Sequence, residues 1–122
     1  MPIIDIQLIL PAGVGLPSEL AKELADKLGH VLNVKAGQLW LRLQALPSSN
    51  YAENAPLPTD TGLPVFVTVL HAQPQEGEKR QAEAHALAQV VANAIGRPRT
   101  QVHIEYAAPG AGRMAFGGNL VH

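Results

Sequence analysis

The sequence predicts an α+β fold in which two tandem β-α-β units build a four-stranded sheet with two helices on one face. Three observations predict it. Segments 2–10, 39–46, 64–71 and 101–107 are rich in aliphatic and β-branched residues and read as strands. Segments 17–32 and 76–95 carry apolar residues at helical spacing. The order strand–helix–strand occurs twice, and the halves register at a shift of 62 residues, with Pro2 falling on Pro64 and Pro47 on Pro109.

The first strand is closed by Pro11 and Gly13. The first helix carries a stripe of Leu20, Leu24, Leu28, Val31 and Leu32. Pro17 suits its opening turn, and Glu19 suits the positive end of its dipole. In the second strand Leu39, Leu41, Leu43 and Ala45 face one way, while Trp40, Arg42 and Gln44 face the other. Residues 48–63 are rich in Ser, Asn, Pro, Thr and Gly and read as a connecting loop. Pro64 opens the third strand. The second helix carries Ala84, Leu87, Val91, Ala94 and Ile95, and Gly96 with Pro98 ends it. The chain reads as one domain, 1–122, with repeats 2–47 and 64–109 and a linker 48–63. Right-handed crossovers make the two strands of each unit parallel. One detail breaks the repeat. At this shift Arg42 coincides with Ile104, while His103 and Glu105 coincide with Leu41 and Leu43. Either a bulge or a one-residue shift accounts for that change of parity.

A chain of 122 residues can bury a core without disulfides or a structural metal, and 47% apolar residues argue against disorder. Only 16% are charged, below the usual quarter, which implies that part of the surface is covered by other copies. The face carrying Asp5, Gln7, Trp40, Arg42 and Gln44 is too mixed for a dry core and suits a symmetric oligomer. A net charge of −1 offers no electrostatic footprint for nucleic acid or an anionic membrane. The absence of cysteine excludes disulfides, thiolate metal sites and a cysteine nucleophile. No run reaches the ~18 apolar residues of a membrane span. No basic region precedes the first apolar stretch, so no signal peptide is expected and the expected location is cytoplasmic.

Met1-Pro2 ahead of an apolar strand, the duplicated unit and the tail Arg113-Met114-Ala115-Phe116-Gly117-Gly118-Asn119-Leu120 together resemble the tautomerase superfamily. The resemblance covers nearly the whole chain and is to the long-chain members, in which two 4-oxalocrotonate tautomerase-like units are joined. Leu70-His71-Ala72 is similar to the Leu-His-Ser of macrophage migration inhibitory factor. The resemblance implies a homotrimer with each site at a subunit junction, and a catalytic N-terminal proline.

The chemistry of that proline can be stated for Pro2. Removing Met1 would turn its nitrogen from a non-basic tertiary amide into a secondary amine. A free α-amino group has a pKa of about 7.7–8.0, and burial among apolar groups and cations lowers it toward neutrality. Such an amine serves as a general base. The other reading is that Pro2 only begins an edge strand and Met1 stays.

By the same resemblance Arg42 matches an arginine that binds a substrate carboxylate, which a guanidinium can hold by two hydrogen bonds. An interface salt bridge is the alternative. Lys35 matches a lysine at the site mouth, or is a solvated loop residue. His103 and Glu105, two apart on a strand, match pocket residues from a neighbouring subunit. An internal hydrogen-bonded pair, or two ligands of a metal, are the other readings, and two ligands do not define a metal site. Gln73 falls where macrophage migration inhibitory factor has a pocket-lining isoleucine, which by resemblance makes it a candidate for the pocket rim. Arg113 and Met114 fall where the short tautomerase has a His and a pocket Phe, with packing as the alternative for Met114. A second carboxylate-binding arginine is missing at Pro11-Ala12-Gly13 and near Gln73-Pro74, and no arginine stands between Pro64 and Lys79. A dicarboxylate substrate, dehalogenation and decarboxylation are therefore disfavoured. Gly110, Gly112, Gly117 and Gly118 form no phosphate loop and suit turns of a C-terminal hairpin reaching a neighbouring subunit.

The resulting expectation is an isomerase: a tautomerase that needs no cofactor or metal and moves a proton on a small 2-oxo acid or related unsaturated carboxylate. The alternative is a non-catalytic trimeric protein of the same fold that binds a small molecule or a partner. A third option is an unrelated ferredoxin-like metabolite sensor, which a dimer in solution would favour.

Overall fold

The structure, a computed structural model, describes residues 1–59 and 62–122. Asp60 and Thr61 of the expected linker lie outside the described residues. Strand β1 (Ile3–Leu10), helix α1 (Leu20–Val31) and strand β2 (Trp40–Pro47) form the first unit. Strand β3 (Val65–Leu70), helix α2 (Gly77–Ile95) and strand β4 (Val102–Tyr106) form the second. A short hairpin, β5 (Ala115–Phe116) and β6 (Asn119–Leu120), follows. Among the described residues, no helix is long and apolar enough to cross a membrane.

The four long strands lie in the order β2-β1-β3-β4. Each crossover pair is parallel, and the central pair β1/β3 is antiparallel. Alternation along the central strands sets the core. Ile4, Ile6 and Leu8 of β1 and Val65, Val67 and Val69 of β3 are buried in one cluster with Leu20, Leu24 and Leu28 of α1 and Leu87 and Val91 of α2. This is the predicted α+β architecture.

The helix ends show how the chain turns back to the sheet. Helix α1 begins at Leu20, three residues later than the sequence suggests, because Pro17 to Glu19 form a turn in which Leu20 N–H donates to Pro17 O (3.3 Å). Asn33 takes the left-handed conformation (φ 54°) after α1, and Val34 N–H reaches back to Gly29 O at 2.9 Å. Gly96 does the same after α2 (φ 76°), with Arg97 N–H on Ala92 O at 3.0 Å. Asparagine tolerates that region better than most side chains.

The parity problem has a definite answer. Partners in both parallel pairs stand 37 positions apart, Ile3 with Trp40 and Val65 with Val102, and the pairings run without interruption. No bulge separates the strands within a unit. Instead the second unit is out of phase as a whole, since Ile4 and Val65 both face the helices. Asp5, Arg42, Thr68 and Glu105 consequently lie in one row across the sheet, and Gln44, Gln7, Phe66 and His103 in the next. Both rows are on the face that the helices leave open.

The expected C-terminal hairpin forms and folds onto its own chain. Gly117 and Gly118 make its turn at φ 61° and 88°, a conformation that favours glycine. Its Phe116 stacks on Trp40.

Candidate active site

Pro2 is buried at the head of β1. Its carbonyl accepts a hydrogen bond from Trp40 N–H at 3.2 Å, which extends the β1/β2 ladder by one step. On the other side Ile3 pairs with Leu70, so the next antiparallel position outward sets Pro2 opposite His71. Gly110 N–H donates to His71 O at 2.9 Å and brings the C-terminal segment to the same end of the sheet. There Met114 is buried over Gly110. Proline, histidine, methionine and the Trp40–Phe116 stack thus gather at one end.

His71 did not stand out as a site residue in the sequence. It is partly buried, and its Nδ1 accepts a hydrogen bond from Gln73 N–H at 3.0 Å. An imidazolium carries hydrogen on both nitrogens and could not accept that bond. Burial pushes the His71 imidazole below its ordinary value, the N-terminal ammonium pushes the same way, and Glu83 opposes them. Glu83 in turn accepts the Tyr106 hydroxyl at 2.9 Å, and Arg80 lies 5.6 Å from the Tyr106 ring centroid. Burial and the bond to Glu83 push the Tyr106 hydroxyl up. The likeness of Leu70-His71-Ala72 marks the segment in the sequence, but the placement of His71 opposite Pro2 comes from the β1/β3 register, which residue types do not reveal.

Arg42 is exposed on the open face of β2. Its Nε and Nη2 donate to the two carboxylate oxygens of Asp5 at 2.5 and 2.8 Å. Asp5 raises the Arg42 guanidinium further above its usual range, through the hydrogen bond first and the charge second. A concavity of about 420 Å³ adjoins this pair, with Gln7, Gln44, Phe66 and Thr68 on its walls.

The remaining candidates are dispersed. His103 and Glu105 share the open face with Arg42 but sit on the opposite edge strand, three strand spacings or roughly 14 Å away. The His103 ring lies 5.5 Å from Phe66, whose ring is 5.9 Å from Tyr51. Tyr51 is pushed up to about 12 by burial and by its bond to Glu53. Lys35 is exposed in the α1–β2 turn, beside a depression lined by α1 residues such as Asp26 and His30. Gln73 is exposed and enters through its backbone N–H. Arg113 is exposed, and its N–H donates to Gly110 O at 2.7 Å. Within one protomer, Gln73 and Met114 join Pro2 at the sheet end, and the turn carrying Lys35 leads into Trp40 at that same end, while Arg42, His103 and Glu105 lie on the open face. No group of three or more potential metal-binding His, Asp or Glu residues occurs among the described residues.

No protein-family model matches the sequence, and no curated protein does. Solved structures do match in shape. Pt0534, a protein crystallised after inactivation by 2-oxo-3-pentynoate, superposes with a TM-score of 0.74 at 19% identity, over 98% of this chain and 94% of that one. Native fused 4-OT gives 0.73 at 15% identity, over 97% and 94%. Macrophage migration inhibitory factor from Oncomelania hupensis gives 0.73 at 17% identity, over 100% and 83%. Strand order, helix placement and these superpositions agree that the chain has the fold of the tautomerase superfamily.

Proposed function

We propose that this protein is a cofactor-independent tautomerase in which Pro2, freed by removal of Met1, is the general base. The observation that carries the reading is the position of Pro2, buried at the head of a central strand beside His71, in a chain with this fold. A secondary amine there is partly desolvated, which favours its neutral form. In ketonising the enol of a 2-oxo acid, the enol proton leaves oxygen, the Pro2 nitrogen carries a proton, and C3 receives one. Atoms and charge balance without metal or redox partner.

Negative charge on the enolate requires a donor, and Arg42 is the cationic candidate on the open face. It meets Pro2 across a junction between copies, in a homotrimer such as those formed by fused 4-OT. His103, Glu105, Lys35, Gln73, Arg113 and Met114 would line or rim that junction. The substrate class is a small 2-oxo acid.

The test is ketonisation of phenylenolpyruvate by the native protein and by Pro2→Ala, with intact mass recorded for both. The reading expects native protein lacking one methionine and a rate at least about a hundredfold above the variant, the scale of a positioned general base. Equal rates remove Pro2 from the mechanism. A second probe is 2-oxo-3-pentynoate, whose activated triple bond adds a neutral amine. One adduct on Pro2, absent from Pro2→Ala, is the expected result.

The tie between Arg42 and Asp5 favours a second reading, a non-catalytic binding protein of the same fold. A uniform population retaining Met1 would leave only that one.

A further inference from the structure

We propose that Asp5 is a specificity-determining residue: its carboxylate sits in the fork of Arg42 and competes with any ligand carboxylate for it. The inference rests on the reading of Arg42 as the group that receives a substrate carboxylate.

The geometry is that of a bound acid. Two nearly parallel N–H···O contacts, from Nε and Nη2 to the two Asp5 oxygens, are the bidentate arrangement a substrate carboxylate would adopt. The contact is built into the fold. Asp5 and Arg42 are direct partners in the parallel β1/β2 register and point to the same face. Of the five N–H donors of a guanidinium, two are committed to Asp5 and three remain.

Charge sharpens the effect. Asp5 cancels Arg42, and the same cross-strand row adds Glu105 beyond the neutral Thr68. A carboxylate approaching the fork therefore meets no net positive charge from the pair. The adjoining concavity otherwise offers the amides of Gln7 and Gln44, the Thr68 hydroxyl and the Phe66 ring. The contact is nonetheless displaceable. In the isolated protomer the Arg42 side chain is 70% exposed and that of Asp5 47%, and ion pairs this open to water are weak. The arrangement selects a ligand with one carboxylate and a neutral, hydrogen-bonding remainder, and it rejects a dicarboxylate more strongly.

Calorimetric titration with pyruvate and with 2-oxoglutarate tests this. The proteins are the native form, Asp5→Asn, Arg42→Gln and the double variant. Trp40, the single tryptophan, lies two positions from Arg42 on the same face and supplies a fluorescence readout independent of turnover. The inference expects Asp5→Asn to bind pyruvate about tenfold more tightly, the scale of removing one competing charged partner, and to gain more for 2-oxoglutarate. The gain disappears in the double variant. If Asp5→Asn binds as native while Arg42→Gln binds more weakly, the role of Asp5 is overturned and that of Arg42 stands. If Arg42→Gln binds as native, or no form binds either acid, both are overturned. Asp5→Ser repeats the measurement should the Asn variant fold poorly.

Discussion

Trp40 and Phe116 stack with ring centroids 4.4 Å apart and planes 22° from parallel. The stack holds the β5–β6 hairpin against the first residue of β2, beside the backbone bond from Trp40 to Pro2. Both rings remain partly accessible, so the contact is an anchor rather than a core. Phe116→Ala is expected to cost about 1–2 kcal/mol, combining a stacked pair with modest apolar burial. Urea unfolding measures it. Trp40 emission should move to longer wavelength in the folded variant, and amide exchange should rise from Ala111 to Val121 while β1 and β3 stay protected. Unchanged emission would mean that the stack does not persist in solution.

Gly110 leaves no room for a side chain. A Cβ there would lie 2.1 Å from the Met114 sulfur and 2.5 Å from its Cγ. Its φ is not left-handed, so the obstacle is space alone. Gly110→Ala is expected to destabilise by about 1–3 kcal/mol, the usual cost of overpacking. The flexible thioether can yield part of that space. Gly110→Ala with Met114→Ala should therefore lose less than the two single changes summed. Gly96→Ala supplies the contrast, because nothing lies within 4 Å of its Cβ but its φ is +76°. There the expected cost is about 1 kcal/mol from backbone conformation alone. A double-mutant cycle by thermal or urea unfolding separates the two mechanisms.

His71 should make stability fall as pH drops. Its folded pKa is lowered, by burial first and the N-terminal charge second. The unfolded chain then binds the proton more readily than the native one, so unfolding is favoured as pH falls through the unfolded value of about 6.5. The effect ends once pH passes below the folded value, where both states are protonated. Protonation also removes the acceptor for Gln73 N–H. Unfolding measured from pH 8 to pH 5 in the native protein and in His71→Gln tests this, as the difference between the two profiles. The His71 ring signals in a proton NMR titration should have a midpoint below 6.5. A midpoint above it contradicts the burial of His71, the larger cause of the shift.

Fold class was legible because each element announces itself locally. Ile4, Ile6 and Leu8 alternate, Leu20, Leu24 and Leu28 recur every fourth residue, and Gly96 marks a helix end. What was not legible depends on how strands meet. The Asp5–Arg42 contact follows from the offset between β1 and β2, and the approach of His71 to Pro2 from the antiparallel β1/β3 register. Residue types specify neither. Matching Pro2 to Pro64 suggested a clash of parity at His103 and Glu105. The sheet removes it by displacing the whole second unit, so Arg42, His103 and Glu105 share a face after all. The proposed meeting of Arg42 with Pro2 depends on a second copy, which residue types in one chain do not reveal.

That displacement has a further consequence. Pro64 stands one residue before β3 as Pro2 stands before β1, yet their neighbours Val65 and Ile3 point to opposite sides of the sheet. Pro64 also lies within the chain, where its nitrogen carries an acyl substituent and has no basicity. Under the proposed mechanism, the second β-α-β unit repeats the scaffold without supplying a second basic amine. On that reading each polypeptide offers one such nitrogen, and the second unit is free to diverge.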